Sequence, residues 1–285
     1  MSKLTAIIPC LPDKDRQYLK VCVESLRSSG FDGDIIAVLN GSRDMDPLHD
    51  TDIVGITKKI VTKQQGQCNA VNVGANLAEG DCEYLMVINA DMYFSPGWNK
   101  NIDLDNLPSL CVSPNLIEPV DNLGSAPPFR KFDGGYTLEE FNAEAVDAEV
   151  ERLIDEDPVV EPGFNLPFII SRELWNTIGG YDVKYDPWGS NSDTDLQTLI
   201  EIAGVKPRRL RNALVYHFSN KSGTFERNDP EKDAAWWKNF NYYRDKFGYT
   251  RDDEPKGDPW YAKNMVIEDK LIFHPEWESK YDSHC

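Results

Sequence analysis

The sequence predicts an α/β fold on a mostly parallel, Rossmann-like central sheet flanked by helices, and three observations carry that prediction. Short β-branched runs alternate with helical patterns through the first hundred residues, as right-handed βαβ units require. Polar residues gather where the apolar runs end, the edge at which open α/β sheets place their chemistry. A chain of 285 residues, 40% hydrophobic, with 12 Phe, 12 Tyr and 7 Trp, can bury a full core. That excludes a disordered acidic chain or a disulfide-stapled mini-protein.

The elements follow in order. Leu4 to Ile8 reads as a strand that stops at Pro9, and Arg16 to Ser28 as a helix with Leu19, Val23 and Leu26 on one face, ending at Gly30. Asp34 to Leu39 is the second strand, closed by the turn Asn40-Gly41-Ser42. In the helix predicted over Gln67 to Ala78, the small residues Ala70, Gly74 and Ala78 recur every four positions. Glycine inside a helix costs about 1 kcal/mol against alanine, so Gly74 points to close packing or to a ligand. Tyr84 to Ile88 is a buried strand running into Asn89-Ala90-Asp91.

Prolines at 108, 114, 119, 127 and 128 then predict an irregular excursion. Residues 139–161 hold ten acids and one arginine, and Phe141, Ala145, Ala148 and Leu153 fit one helical face, so a solvated acidic helix is expected there. Phe164 to Ser171 returns to strand, and Arg172 to Ile178 to a short helix ending at Gly179-Gly180. Asp193 to Ala203 is helical and Ala213 to Phe218 is a strand. Asp229-Pro230-Glu231 starts a final helix bearing Trp236, Trp237, Phe240, Tyr243 and Phe247. Its rings are expected to pack back on the body, with stacking on a sugar as the alternative for one of them.

Thirty Lys and Arg against 48 Asp and Glu leave a formal charge of −18 and a pI near 4.6. A protein that tracks nucleic-acid backbones usually carries the opposite sign. Residues 139–161 alone contribute −9, so the acidity is concentrated in one segment. No apolar run is long enough to span a membrane, and the start MSKLTAIIPCLPDKDR lacks the marks of a signal peptide. The expected location is cytoplasmic. Cysteines at 10, 22, 68, 82, 111 and 285 lack zinc-site spacing and read as reduced thiols.

Three constellations could carry chemistry. Asn89 and Asp91 offer two oxygen donors at a strand end, the kind of ligand that hard cations such as Mg2+ and Mn2+ prefer. In Ser192-Asp193-Thr194-Asp195-Leu196, after the loop Trp188-Gly189-Ser190-Asn191, one acid can enter a cleft while the other holds the loop; helix capping by both is the plainer alternative. His217 ends a strand, as a structural group or a metal ligand, and precedes a polar stretch in which Lys221 could meet a phosphate as a point charge.

The order of these signals resembles the GT-A glycosyltransferases, in particular the family 2-like group. The resemblance runs through most of residues 4–218: Ala6-Ile7-Ile8-Pro9, Leu39-Asn40-Gly41-Ser42, and Gln64-x-Gly66-x-x-x-Ala70-x-Asn72-x-Gly74. Asn89-Ala90-Asp91 falls where that family has Asp-x-Asp. Ile178-Gly179-Gly180-Tyr181-Asp182 looks like its Gly-Gly-Phe-Asp, and Asp193-Thr194-Asp195-Leu196 like the end of its Glu-Asp-x-Asp-Leu stretch. In the tail, Asn239-x-x-x-Tyr243-x-x-Lys246-Phe247-Gly248 is similar to an ending found in some viral and bacterial transferases.

The resemblance implies a metal-dependent, inverting transfer of a sugar from a UDP- or GDP-sugar to a hydroxyl of a glycan, a protein or a modified nucleic-acid base. It implies donor contacts from Pro9, Cys10, Asn40, Gln64, Asn72, Asn89, Asp91 and Lys221, with a divalent cation, Mn2+ or Mg2+, on Asp91 and His217. Asp193 would be the catalytic base, and Gly180, Trp188 and Asp195 would meet the acceptor. The same resemblance divides the chain into a catalytic domain over 1–224, with a donor half at 1–107 and an acceptor half at 108–224, and a C-terminal extension over 225–285. Three positions depart from the pattern: Leu39-Asn40 for two acids, Asn89 for the first acid of Asp-x-Asp, and Ser192 for a glutamate. They keep a non-catalytic sugar- or protein-binding module in view as the alternative. A nucleotidyltransferase would place a glycine-rich basic loop after the first strand, where this chain has Pro9-Cys10-Leu11-Pro12-Asp13.

Overall fold

The computed structural model describes residues 4–41, 53–63, 66–78, 80–119, 129–155, 159–219, 221 and 229–247. The first strand, β1 (Leu4–Cys10), is buried along its whole length, as a central parallel strand covered on both faces must be. Helix α1 (Pro12–Ser28) opens with proline in its first turn, where no amide hydrogen is needed. It returns the chain to β2 (Ile35–Asn40), which pairs in parallel with β1, Cys10 lying opposite Leu39. A third parallel strand, β3 (Lys58–Thr62), then adds to β2. Its charged pair Lys58-Lys59 had hidden it from a hydrophobicity reading, and such lysines belong on a sheet edge.

Helix α2 (Gln67–Leu77) crosses over β1 and β2. A Cβ at Gly74 would come within 2.5 Å of Ile7 Cγ2 and 3.3 Å of Val38 Cγ2, so close packing, not a ligand, explains this glycine. Strand β4 (Tyr84–Val87) pairs with the other side of β1, and β5 (Met92–Tyr93) follows immediately.

Residues 108–119 are not the irregular excursion that their prolines suggested. Strand β6 (Cys111–Glu118) is fully buried. Pro114 is tolerated because it sits where the parallel pairing with β10 (Arg208–His217) shifts register, between Leu210 and Leu214, and a proline in a sheet needs such a break. On the other flank, β9 (Phe168–Ser171) pairs only with Cys111 and Val112. Beyond them the Asn165 side-chain amide caps the Pro114 carbonyl at 2.9 Å.

The short strands β7 (Arg130–Lys131) and β8 (Val160–Pro162) pair with β6 and β10. Across the rest of the sheet the order is β3-β2-β1-β4-β9-β6-β10-β5. The expected α/β architecture with a mostly parallel central sheet is therefore observed; β9 enters its middle antiparallel to β4 and β6.

The acidic segment forms α3 (Ala143–Ile154), capped by Asn142 accepting from the Ala145 amide. Its inner face is Val146, Val150, Leu153 and Ile154; Ala148, placed inside from the sequence, is exposed. Helix α4 (Arg172–Ile178) is capped by Ser171 and stopped by left-handed Gly179. A 3-10 turn (Val183–Tyr185) leads to α5 (Ser192–Ile202), and α6 (Pro230–Phe247) closes the described chain. No helix of the described residues is long and apolar enough to cross a membrane.

Candidate functional site

The site is assembled where β4, β6 and β10 end. Chain reversal between β4 and β5 sets Asp91 beside β10: its carbonyl accepts the Phe218 amide at 3.0 Å, and neighbouring Met92 pairs with His217. Strand β6 runs parallel to β10 with Ile117 opposite Tyr216, which brings the next residues, Glu118 and His217, abreast.

The imidazole then bridges two acids. Its Nε2 lies 3.3 Å from Asp91 Oδ1, and its Nδ1 lies 2.8 Å from Glu118 Oε1. All three side chains are largely buried, Glu118 to 3% residual exposure. Burial alone would drive His217 neutral, but the flanking carboxylates outweigh it and raise its pKa to about 10. Burial likewise works against the Asp91 charge, and His217 overcomes it, holding that carboxyl below its usual value. The Lys221 amide donates to Asp91 Oδ2 at 3.2 Å, while its ammonium lies over the Tyr136 ring, 3.0 Å from the centroid. Burial depresses the pKa of that lysine.

These groups fit a divalent cation. Two ligands in adjacent positions of an octahedral ion, with bonds near 2.1 Å, stand about 3.0 Å apart, close to the observed separation of Nε2 and Oδ1. One imidazole and one carboxylate are a mixed donor set that transition-metal divalent ions accept. Asn89, half-buried two residues before Asp91, contributes its backbone carbonyl as acceptor for the Cys22 thiol.

On the β1–β2 side, Pro9 and Cys10 are buried. Asn40 clamps that edge: its amide donates to the Cys10 carbonyl at 3.1 Å, and its Oδ1 accepts from the Gly66 amide at 3.0 Å. Burial pushes the Cys10 thiol far up, so it is a packed group rather than a nucleophile. All five described cysteines are buried free thiols. Gln64 lies outside the described residues. Asn72, expected at the donor, grips the loop at Tyr181 reciprocally, donating to the Tyr181 carbonyl at 2.7 Å and accepting its amide at 2.9 Å. Gly180, at φ +73°, makes room for this grip, since a Cβ there would lie 2.6 Å from Asn72 Oδ1.

Four acids lie between residues 182 and 195, and three of them hold the scaffold. Asp186 receives the amides of Cys68 and Asn69 at 3.1 and 2.9 Å, capping α2 from a distant loop. Gly66 is required there, since a Cβ would enter the Asp186 carboxylate. Asp182 accepts from Tyr242 and Lys246 at 2.7 and 3.0 Å. Asp195, expected at the acceptor, is 1% exposed and bonded to Tyr185 at 2.9 Å and Lys246 at 2.8 Å. It anchors α6 instead. Trp188 also faces α6, with Lys232 5.4 Å from its ring centroid. Asp193 stays half-exposed in the first turn of α5, and the buried Tyr181 hydroxyl donates to its Oδ1 at 2.7 Å. Burial and the Asp193 charge push the Tyr181 phenol well up, so it remains a donor.

The basic run Lys206-Pro207-Arg208-Arg209, with Arg211, lies across the start of β10. Arg209 is buried against Glu161 at 3.2 Å and Asn165 at 2.9 Å, and Arg211 lies 3.9 Å from Glu161. Sequence reasoning missed Glu118 and Asp186, and it named Tyr181 only within the Gly179-Gly180 stretch, without its bond to Asp193. For Glu118 the available signal was a lone acid after the apolar pair Leu116-Ile117, obscured by the prolines around it.

Residues 5–102 match the family model described as Glycosyl transferase family 2. No curated protein sequence matches the chain. Among solved structures it is similar to S. aureus TarS 1-349, at 15% identity and TM-score 0.53 over 91% of this chain and 78% of that one. It is likewise similar to the same protein in complex with UDP-GlcNAc, at 14% identity and TM-score 0.52 over 88% and 74%. GalNAc-T7 with UDP, GalNAc and Mn2+ matches at 16% identity and TM-score 0.54, over 98% of this chain and 57% of that one. Strand order, the family match over residues 5–102 and these likenesses agree: the chain has the GT-A fold of glycosyltransferases, and its residues 5–102 carry the family 2 pattern.

Proposed function

We propose that the chain transfers a sugar from a nucleoside-diphosphate sugar to an acceptor hydroxyl with inversion at the anomeric carbon. The observation that carries this reading is the pairing of His217 Nε2 with Asp91 Oδ1 at the carboxyl edge of a GT-A sheet. Those two residues would hold a divalent cation, which when bound supplies Lewis-acid neutralisation of the departing diphosphate. Among the described residues no group of three or more His, Cys, Asp or Glu side chains forms a metal cage. Ligands beyond these two would then come from the donor diphosphate and water.

Asp193 is the group that accepts the proton of the attacking hydroxyl. Tyr181 fixes the carboxylate through one oxygen, and a positioned base of this kind is worth roughly 10² to 10⁴ in rate. Attack by the acceptor oxygen forms the new bond to the anomeric carbon as the bond to the diphosphate breaks on the opposite face. That geometry inverts the configuration, through the same oxocarbenium-like charge that glycosidases meet.

The test pairs thermal shift with transfer. UDP, GDP and their sugars are expected to raise the melting point with Mn2+ and not with excess chelator, a matching donor adding about 2.7 kcal/mol at a hundredfold excess over Kd. Asp193→Asn is expected to keep the donor shift while transfer falls by roughly 10² or more. Equal transfer by Asp193→Asn removes it as the base, and donor shifts indifferent to chelator remove the cation.

A further inference from the structure

We infer that Glu118 is a positioning residue for the cation site: it holds His217 in the one tautomer that can ligate, by accepting the proton on Nδ1. The inference rests on the cation reading of Asp91 and His217 given above, and adds to it a residue that neither the Asp-x-Asp-like stretch nor the strand-end histidine predicts.

The geometry is specific. Glu118 and His217 are the final residues of two parallel strands, each next to the last registered pair Ile117 and Tyr216, so strand pairing, not a flexible loop, sets their separation. Glu118 Oε1 lies 2.8 Å from Nδ1, and Nε2 on the far side of the ring lies 3.3 Å from Asp91 Oδ1. In this assignment Glu118 Oε1 accepts from Nδ1, which places the hydrogen on the nitrogen facing Glu118. The neutral ring then has its lone pair on Nε2, directed at the Asp91 side. A neutral imidazole in water prefers the opposite tautomer, with the hydrogen on Nε2, which would put a proton where a cation must bind. A carboxylate behind a ligating histidine removes that choice, fixes the ring plane and raises ligand basicity.

Burial supports the assignment. Glu118 is 3% exposed at the end of an apolar strand, and a carboxylate is kept in such surroundings only when partnered. Its position also separates it from the ligands themselves, since the imidazole stands between it and Asp91.

Mn2+ binding measured by electron paramagnetic resonance of the free ion, alone and with UDP, tests this on the full chain. Glu118→Gln is expected to weaken Mn2+ by 10- to 100-fold, with the melting profile still cooperative. In a His217→Ala background the same substitution is expected to cause no further loss, because Glu118 acts through the ring. Unchanged affinity in Glu118→Gln, or an equal loss in both backgrounds, overturns the inference while leaving the cation site standing. A wild-type chain that binds no Mn2+ under either condition overturns both.

If Glu118→Gln does not fold, the wild type still decides. With Mg2+ and UDP bound, the imidazole nitrogen resonances of His217 are expected to show the hydrogen on Nδ1. A hydrogen on Nε2 overturns the assignment.

Discussion

At the scale of single residues, His217 carries an electrostatic consequence that a pH series can read. Its proton is favoured in the fold by Asp91 and Glu118, which raise its pKa from 6.5 to about 10. A group whose folded pKa lies above its unfolded value contributes stability in full below the unfolded value and loses it as pH rises through the folded one. In chelator, therefore, the stability gap between wild type and His217→Gln is expected to be widest near pH 6 and to close progressively towards pH 10. Comparing the two proteins cancels the buried thiols and phenols, which titrate in both. A gap in melting temperature that is constant or grows over that range would show that the imidazole is not held charged between the two acids.

At the scale of elements, α6 explains the tail motif residue by residue. Asn239 donates to the Tyr185 carbonyl at 2.9 Å and to Ser190 at 3.1 Å, the Tyr243 hydroxyl meets Thr198 at 3.0 Å, and Lys246 reaches Asp182 and Asp195. The helix thus braces the 3-10 turn, the following loop and α5, whose first turn carries Asp193. Lys246 is 2% exposed at its side chain, and removing one member of a buried ion cluster costs about 3–5 kcal/mol. Lys246→Met is expected to lower the melting point by roughly 10 °C in a chain of this size, with Lys246→Arg falling less. A Lys246→Met protein that melts within a degree or two of wild type would show that α6 does not brace α5.

The elements legible in the sequence were those with one dominant period: β1, α1, β2, α2, β4, α4 and α5 appear within a few residues of their expected bounds, and α6 starts where expected. What stayed hidden were strands whose composition argues against them, β3 for its lysines and β6 for Pro114, which is accommodated by a register shift visible only in three dimensions. The same concealment cost the site Glu118, because a residue cannot be placed at a strand end before its strand is seen. Asp91 and His217 were legible as strand-end polar groups. The division of labour among Asp182, Asp186, Asp193 and Asp195 was not, since it depends on partners far away in sequence.

At the scale of the whole molecule, the expected donor and acceptor halves meet in one continuous sheet. Strand β9, from the second half, lies between β4 of the first and β6, pairing Val87 with Phe168 and Val112 with Ile169. One hydrophobic cluster runs from Leu4 to Phe247 across this seam, with Trp98 and Trp175 both inside it. The net charge of −18 does not divide the molecule either, because half of it belongs to the segment around α3. That helix turns Val146, Val150, Leu153 and Ile154 inward. Proteins of this length often unfold through intermediates, so cooperativity here is a real test of the seam. Urea unfolding followed by far-UV circular dichroism and by tryptophan emission is expected to give coincident transitions. A Trp98→Phe variant, which removes the one tryptophan among residues 1–107, is expected to keep that coincidence. Separated transitions, or a tryptophan-emission midpoint that moves relative to circular dichroism when Trp98 is silenced, would show that β9 joins two units that fold independently.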